Sequence, residues 1–415
     1  MKQEGQFAAF IGIDWADQKH DVCLRTADSD VLERAVVAHT PEELERWAES
    51  LRQRFGGKPV AVCLEMARGP LVSALVKHRH LVVFPVNPLA LSKYREAWHP
   101  SGAKDDPTDA ELALEVLVKH RDKLGELRLQ SPAMRALQRL VEDRRRLVED
   151  RVRLTNRIVA ALKEYFPQVL DWFEDRGTVT FCDFVERWPS AEQAKRARSE
   201  TLKAFFHEHN VRNAQRIEER IAAIKSATAL TTDPGAVTPA KLLVLSLVPA
   251  LRAMLQGIKQ YDDAIAEQCS KLSDYRIFAS FPAAAEVFAP RLLAAFGEDR
   301  SRFKSAQAMQ CYGGVAPVTE RSGNQQWVHW RFCSTTFVRQ TLVEWAAQTI
   351  PHSYWAGEFY KRHRERGGTH QGALRALAFK WVRILYRCWV NKTPYDESRY
   401  LKHLRARNAP LLTAN

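Results

Sequence analysis

The sequence predicts an α/β domain at the N-terminus and a mainly α-helical remainder. Short β-rich runs alternate with helical periods over residues 7–130, which is the pattern of an α/β domain. Over residues 131–167 leucines recur every seven residues, and over residues 275–407 helix-length apolar patterns flank one glycine-bearing loop. These observations divide the 415-residue chain into three predicted domains, at 1–130, 131–274 and 275–415.

The composition indicates a basic globular protein. The chain is 46% hydrophobic and 27% charged, and no apolar run approaches the roughly 18 residues of a membrane-spanning helix. The N-terminus "MKQEGQFAAFIGID" lacks the pattern of a secretory signal, so we expect a cytoplasmic location. A net charge of +13 predicts a nucleic-acid partner, because basic side chains release counterions from phosphates. A basic surface kept for solubility is the alternative.

The seven cysteines form no CxxC pair and have no histidine at ligand spacing. An odd, scattered set in a long chain argues against a disulfide framework. We therefore expect reduced and mostly buried thiols at Cys23, Cys63, Cys182, Cys269, Cys311, Cys333 and Cys388.

Three β-rich runs, "AAFIGIDWA", "DVCLRTA" and "VLERAVVAH", open the first domain. Thr40 and Glu43 then form a capping box around Pro41, which predicts a helix to about Arg54. A strand "PVAVCLE", a helix over 70–78, a strand "LVVFPV", a short helix after Pro88 and a helix beginning near Pro107 follow. Three strands followed by this alternation are typical of a ribonuclease-H-like fold.

Four carboxylates stand where such a fold would bring them together. Asp14 ends the first strand and Glu65 ends the fourth, and these two strands are neighbours in a ribonuclease-H-like sheet. Asp106 and Asp109 lie one helical turn apart at a helix N-terminus. Carboxylate oxygens suit Mg²⁺, and two ions can bind both the attacking and the leaving oxygen of a phosphoryl transfer. The acids therefore predict a two-magnesium site.

A purely structural interpretation of the same acids is available. Asp106 and Asp109 would then complement the helix dipole, with Pro107 as an ordinary first-turn residue. An acid that ends an apolar strand is also common. Asp105, Asp17 and Asp21 are nearby acids that could be confused with members of this set, and we interpret Asp105, one residue out of turn with Asp109, as a bystander.

The middle of the chain predicts a coiled-coil arm. Leu140, Leu147 and Leu154 lie on one face of a long amphipathic helix, and a second long helix between 171 and 273 could run back against it. Further helices are predicted over 286–295, 305–309, 337–347 and 372–390.

Two blocks of sequence resemble one known family. "IGIDWADQKHDVCL", "CLEMARGP" and "KDDPTDAELA" are similar to the three acidic blocks of the DEDD-type insertion-sequence transposases, which combine a RuvC-like N-terminal domain with a C-terminal transposase domain. "FPAAAEVFAPRLLAAFGEDRSRFKSAQAMQCYGGVAPVTERSGN" resembles the second conserved region of that family.

The resemblance implies a bridge-RNA-guided serine recombinase. The serine carried over by the motif is Ser322 in "ERSGN", and it would form a covalent serine–DNA intermediate beside the magnesium-bound carboxylates. Without the resemblance, Ser322 is an ordinary turn residue before Gly323. The chain differs from the family in having "NQQ" after Ser-Gly, and alanines in "SFPAAAEVF" where glycines are usual.

Basic and aromatic residues near Ser322 are candidate nucleic-acid contacts. Stacking or phosphate contacts are possible there, although buried packing is expected for Trp327 and Trp330. The segment "YKRHRERGGTHQGALR" combines basic side chains with glycines, and a solvated charged loop is the alternative interpretation. The predicted nucleic-acid-binding residues are Arg321, His329, Arg331, Lys361, Arg362 and Arg364.

The prediction as a whole is a ribonuclease-H/RuvC-like domain, a helical coiled-coil arm and a mostly helical C-terminal domain that together excise and insert a mobile element. Its partners would be donor and target DNA, a guide RNA and further copies of the chain, as a dimer or tetramer. One alternative is a structure-selective endonuclease that uses metal-activated water. The other is a nucleic-acid-binding protein without catalysis.

Overall fold

A computed structural model describes residues 7–98, 106–332 and 334–406, with only the backbone described at positions 98 and 106. The chain divides into two compact units, residues 1–129 and residues 130–415. The described part is a mixed α/β structure, as the sequence predicts.

A mixed sheet forms the centre of the first unit. The strands have the order β3-β2-β1-β4-β5. β1 pairs antiparallel with β2 and parallel with β4, so the prediction that the first and fourth strands are neighbours is confirmed. The strands are β1 (Ala9–Trp15), β2 (Lys19–Thr26), β3 (Glu33–Ala38), β4 (Val60–Leu64) and β5 (Leu81–Pro85).

Helices cover both faces of this sheet. α1 (Pro41–Arg54) and α2 (Pro70–Leu75) pack on the face that carries Ile11 and Ile13. α3 (Pro88–Trp98) and α4 (Asp106–His120) pack on the other face, and a 3₁₀ turn follows α4. The Thr40 side chain accepts a hydrogen bond from the Glu43 backbone N–H, which confirms the predicted N-cap. α2 ends at Leu75, three residues before the predicted end.

Two long helices run in opposite directions through the second unit. α5 (Pro132–Tyr165) begins at an N-cap, Ser131, and α11 (Pro234–Ser270) begins after Asp233. The start of α5 shares a core with the end of α11, and the end of α5 shares another core with the start of α11. An ion pair between Arg144 and Asp262 also joins the two helices. The second helix thus returns along the first, as the sequence suggested.

The core at the far end of this pair is built from short helices and many aromatic rings. Phe173, Phe184 and Phe206 lie at its centre. The helices are α6 (Gln168–Trp172), α7 (Val179–Arg187), α8 (Ala191–Arg196), α9 (Ser199–Glu208) and α10 (Ala214–Ser226).

The C-terminal helices share the other core with the start of α5. Its largest fully buried side chains include Trp345, Trp355, Trp381 and Trp389. The predicted helices of this region are present with small changes of their ends. They are α12 (Tyr275–Ala279), α13 (Ala285–Phe296), α14 (Ala306–Tyr312), α15 (Thr336–Thr349), α16 (Tyr354–Glu365), α17 (His370–Asn391) and α18 (Glu397–Ala406), with the hairpin strands β6 (Val318–Ser322) and β7 (Gln325–His329) between α14 and α15.

α11 is the one helix of the described part that is long and apolar enough to cross a membrane, with an 18-residue stretch of mean hydropathy 1.5. The expectation that no apolar run approaches the length of a membrane-spanning helix is therefore wrong for this stretch. α11 packs along α5 and α7, but only 22% of the apolar stretch is buried. The cysteine prediction holds in outline for the six described cysteines, since Cys23, Cys63, Cys182 and Cys269 are buried free thiols and Cys311 and Cys388 are half-buried. Cys333 lies outside the described residues.

Candidate active site

Asp14 and Glu65 lie at one edge of the sheet in the first unit. The parallel register of β1 and β4 pairs Ile13 with Leu64. Asp14 and Glu65 each follow a member of this last pair, so they stand side by side at the carboxyl ends of neighbouring strands. Asp14 is half-buried and Glu65 is exposed. This is the placement that the sequence predicted for these two acids.

Gly12 allows α4 to approach this edge closely. A Cβ at Gly12 would lie 2.0 Å from the Ala110 carbonyl oxygen and 2.3 Å from the Leu114 backbone nitrogen. Only glycine leaves room for such contact between a helix and a strand. The backbones of β1 and α4 therefore touch two residues before Asp14.

The direction of α4 brings its N-terminal turn to the same edge. The Arg121 guanidinium, just beyond the end of α4, lies over the Phe7 and Phe10 rings near the start of β1. Residues 110–114 lie at Gly12. The helix thus runs opposite to β1, and its start lies towards Asp14. Because strand residues alternate between faces, Asp14 points to the same face as Gly12, the face that α4 covers.

Asp21, which the sequence left as an acid that could be confused with the predicted set, shares this face. It lies directly opposite Asp14 across the β1–β2 ladder and is only 8% exposed. Like charges directly opposite one another are unfavourable in a sheet, so a cation at this edge would relieve the repulsion. The register of the β1–β2 pairing, which the sequence alone does not show, is the signal that identifies Asp21.

Asp109 is buried in the first turns of α4 and forms an ion pair with Arg95 of α3. The side chains of Asp109 and Arg95 are 9% and 18% exposed. The backbone of Asp106 begins α4, but its side chain and the whole of Asp105 lie outside the described residues. Nothing in the sequence pattern indicated Arg95 as the partner of Asp109.

The donor chemistry of this edge suits a hard divalent cation. Asp14, Asp21, Glu65 and Asp109 supply carboxylate oxygens, which Mg²⁺ prefers. Within residues 7–98, 106–332 and 334–406, no group of three or more His, Cys, Asp or Glu side chains is already arranged around a common point. The four-carboxylate metal site accordingly stays a prediction.

Ser322 lies at the tip of a β-hairpin in the second unit. It is the last residue of β6 and pairs with Gln325, the first residue of β7. Gly323 and Asn324 make the two-residue turn between them, and Gly323 has φ +57°, as such turns require. A Cβ at Gly323 would meet nothing within 4 Å. The Ser322 hydroxyl is thus carried on an exposed turn that is open to a macromolecular substrate.

Cross-strand pairing sorts the hairpin residues into two faces. Ser322 pairs with Gln325, Glu320 with Trp327 and Val318 with His329, so these six side chains share one face. An ion pair of 2.9 Å between His329 Nε2 and Glu320 Oε1 lies along this face. Hydrogen bonds to the Glu320 carboxylate and to the Trp330 carbonyl raise the pKa of His329 above its ordinary value. Arg321 lies on the opposite face and is exposed.

The expectation that Trp327 and Trp330 are buried is wrong. They are 49% and 42% exposed, and Phe332 is 68% exposed. The described residues leave both faces of the hairpin open over residues 319–328, so they do not bury Trp327. Trp330 and Phe332 lie beyond this range, with their ring centroids 5.0 Å apart, and they are not buried in a core. Instead, the Arg339 and Arg375 guanidinium groups lie 5.2 and 5.6 Å from the centroid of the Trp330 ring. The half-buried Arg331 has an Nε atom without a hydrogen-bond partner.

The other predicted nucleic-acid-binding residues lie near the end of α16. Lys361 and Arg364 are exposed, and Arg362 is half-buried. The segment is helical up to Glu365 and again from His370, with a short glycine-bearing connection between. It is therefore two helix ends and not an extended charged loop. Its binding of nucleic acid remains a prediction.

The alanine segment before α13 has an unusual backbone. Ala283 and Ala285 have φ values of +54° and +28°, in the region that glycine adopts most easily. These alanines belong to the segment in which the resembled family usually has glycines. Alanine thus occupies two positions whose backbone conformation favours glycine.

Comparison with known proteins gives matches to both units. A family model for DEDD-type IS110 transposases, described as "Transposase", matches residues 11–167. A second model, described as "Transposase IS116/IS110/IS902 family", matches residues 275–361. The first match includes all four acids of the predicted metal site, and the second includes the hairpin.

Curated relatives extend the similarity along the chain. The "Mini-circle putative transposase for IS117" of Streptomyces coelicolor is 28% identical over 99% of this chain and 99% of its own length. The "Putative transposase y4uE" of Sinorhizobium fredii is 30% identical over 49% of this chain and 57% of its own length. The "Insertion element IS110 uncharacterized 43.6 kDa protein" of Streptomyces coelicolor is 25% identical over 93% of this chain and 95% of its own length.

Proposed function

Because this chain belongs to the IS110 family of insertion-sequence transposases, we propose that it cleaves and rejoins DNA with Ser322 as the nucleophile. The observation that carries the proposal is the edge of the first sheet. Asp14 and Glu65 end neighbouring strands there, and the glycine contact at residue 12 brings the start of α4, with Asp106 and Asp109, over the same face.

The proposed step exchanges one phosphate ester for another. The Ser322 Oγ loses its proton and forms a bond to the phosphorus, while one bond between the phosphorus and a deoxyribose oxygen breaks and that oxygen takes up a proton. Rejoining reverses the step with a deoxyribose hydroxyl from another strand. The number of phosphate esters is conserved, so the reaction needs no external energy source.

The carboxylates would hold two magnesium ions. When bound, the metal supplies positive charge beside the scissile phosphate and makes the attacking hydroxyl more acidic. Asp14, Glu65, Asp106 and Asp109 are the proposed ligands. Arg95 already pairs with Asp109, so an ion would compete with Arg95 for this carboxylate.

The partners follow from the same proposal. DNA is the substrate, and the guide RNA that would select donor and target sites is inferred from the family resemblance alone. Exchange of strands requires several cleavages held together, so a dimer or tetramer is expected, with the long helices α5 and α11 as a candidate assembly surface. A cytoplasmic location is part of the proposal.

A covalent adduct tests the nucleophile. Purified protein with its co-purifying RNA, Mg²⁺ and labelled junction DNA should give a protein–DNA species that withstands denaturing electrophoresis. Ser322→Ala and Asp106→Ala should abolish it. Thr319→Ala is the matched control, because it removes a hydroxyl from the opposite face of the same hairpin, and it should leave the adduct intact.

Other outcomes separate the alternatives. DNA cleavage by Ser322→Ala would favour an endonuclease that uses metal-activated water. Mg²⁺-independent binding of DNA by the wild-type protein without any cleavage would favour a binding protein. An adduct that survives in Ser322→Ala would refute the assignment of the nucleophile.

A further inference from the structure

Trp327 is the large side chain nearest to Ser322 on the shared face of the hairpin. Ser322 pairs with Gln325, and Trp327 lies two residues further along β7 on the same face. Diagonal neighbours of this kind are about 7–8 Å apart. A nucleotide whose phosphate lies at the Ser322 hydroxyl can therefore place its base beside the indole ring.

Trp327 is a large aromatic side chain that the described residues of the second unit leave half exposed. Trp327 is 49% exposed, on a two-stranded ribbon whose residues 319–328 are all exposed. An isolated hairpin of this kind gains little stability by itself. A large aromatic ring in such a position is suited to contact with a partner.

Positively charged side chains near the hairpin favour a nucleic acid as the partner of this surface. Arg339 and Arg375 lie over Trp330 at the base of the hairpin, and Arg321 lies on the hairpin face opposite to Trp327, which itself pairs across the strands with Glu320. The protein as a whole has a net charge of +13. Aromatic rings flanked by arginines are the combination with which proteins bind unpaired nucleotides, since the ring stacks on the base and the cations contact the backbone. An apolar protein partner would not be favoured by these arginines.

We propose that Trp327 stacks on an unpaired base of the DNA strand that Ser322 attacks, and so holds the nucleotide beside the scissile phosphate. This inference rests on the proposed function and adds a base-binding position to it. Because every base has an aromatic face, the contact is tolerant of sequence and selects single-stranded over paired DNA. The Glu320–His329 ion pair on the same face supports the ribbon next to the stacked ring.

Binding to simple nucleic acids tests the stacking. Fluorescence anisotropy would compare single-stranded oligothymidylate, its duplex with oligodeoxyadenylate, and oligouridylate. Trp327→Ala should weaken binding of the single-stranded DNA about 5- to 150-fold, the range that one stacked base supports. Trp327→Phe should recover most of the loss. Val328→Ala, a matched exposed apolar residue on the opposite face, should bind as the wild type does.

Photo-crosslinking locates the contact. Oligothymidylate with one 5-iodouracil should crosslink to Trp327 in the tryptic peptide 322–331 of the wild-type protein. Unchanged affinity of Trp327→Ala, together with no crosslink in this peptide, would overturn the proposal. A loss confined to oligouridylate would also overturn it, because the partner of Trp327 would then be RNA.

The two proposals can fail separately. Ser322→Ala should retain the Trp327 crosslink while losing the covalent adduct. A crosslink at Trp327 in a wild-type protein that cleaves DNA but forms no adduct would leave the stacking position standing and refute the nucleophile. An adduct that forms with wild-type yield in Trp327→Ala, with wild-type affinity for single strands, would support the nucleophile and refute the stacking position.

Discussion

Arg95 and Asp109 form an ion pair with little exposure to solvent, 18% and 9% for the two side chains. Removing one partner of such a pair leaves a charge that is neither hydrated nor paired. Asp109 is also one of the proposed magnesium ligands. The same carboxylate can thus stabilise the apo protein through Arg95 and contribute to the metal site when an ion binds.

Replacing Arg95 should separate the two roles of Asp109, which are the ion pair with Arg95 and the proposed binding of Mg²⁺. Arg95→Met is expected to lower the free energy of unfolding by about 3 kcal/mol in metal-free buffer. Mg²⁺ should restore part of the loss, because an ion can compensate Asp109 in place of the guanidinium. Urea unfolding with and without Mg²⁺ measures both effects.

Arg34 provides the control for this experiment. It pairs with Glu111 on the exposed side of the same helix, at 2.7 Å and with side chains 59% and 39% exposed. Arg34→Met should cost less than about 1 kcal/mol, and Mg²⁺ should not alter that cost. If Arg95→Met were equally insensitive to Mg²⁺, Asp109 would not be a metal ligand.

The turn before α13 holds alanine in a conformation that suits glycine. Ala283 has φ +54°, which costs a residue with a Cβ roughly 1–2 kcal/mol. The surrounding core, with Phe281 and Ala284 buried on either side, maintains the turn. The element therefore stores backbone strain that the family's usual glycine would avoid.

Ala283→Gly should stabilise the protein. The expected gain is about 1 kcal/mol, because relief of the strain exceeds the extra chain entropy of glycine in the unfolded state. Ala253→Gly, at an exposed helical position in α11, should instead cost about 1 kcal/mol. A fall in the midpoint of chemical unfolding for Ala283→Gly would show that the turn is not strained.

Elements with local signals were predictable, and contacts between elements were not. Thr40 and Ser131 cap their helices as their side chains suggest, and the alternation around Asp14 and Glu65 places both at strand ends. The exposure of Trp327 depends on what the hairpin packs against, and the pairing of Arg95 depends on where α3 meets α4. Neither feature produces a local sequence pattern. The sequence therefore predicted a buried Trp327, which is wrong, and gave no prediction for the ion pair of Arg95 with Asp109.

The first unit has its own cores on both faces of its sheet. One core lies between the sheet and α1 and α2, and the other lies beneath α3 and α4. Each contains fully buried side chains, such as Val62 and Leu117. A unit with this organisation does not depend on the rest of the chain for its apolar contacts.

Residues 1–129 should therefore fold alone. We expect this fragment to unfold cooperatively in urea, as monitored by its circular dichroism signal. A fragment that ends at residue 98 lacks α4, leaves the sheet face at Gly12 and Cys23 uncovered, and should not unfold cooperatively. Non-cooperative unfolding of residues 1–129 would show that the second unit is needed for the fold of the first.

Because α5 and α11 run in opposite directions, their lengths set the distance between the two cores of the second unit. The chain leaves the C-terminal core along one helix and returns to it along the other, with the α6–α10 helices at the turning point. Seven residues inserted into each helix would move that distal core outward by about 10.5 Å while leaving both cores intact. The distance between the two cores can thus be changed in steps of about two helical turns without altering the apolar contacts within either core.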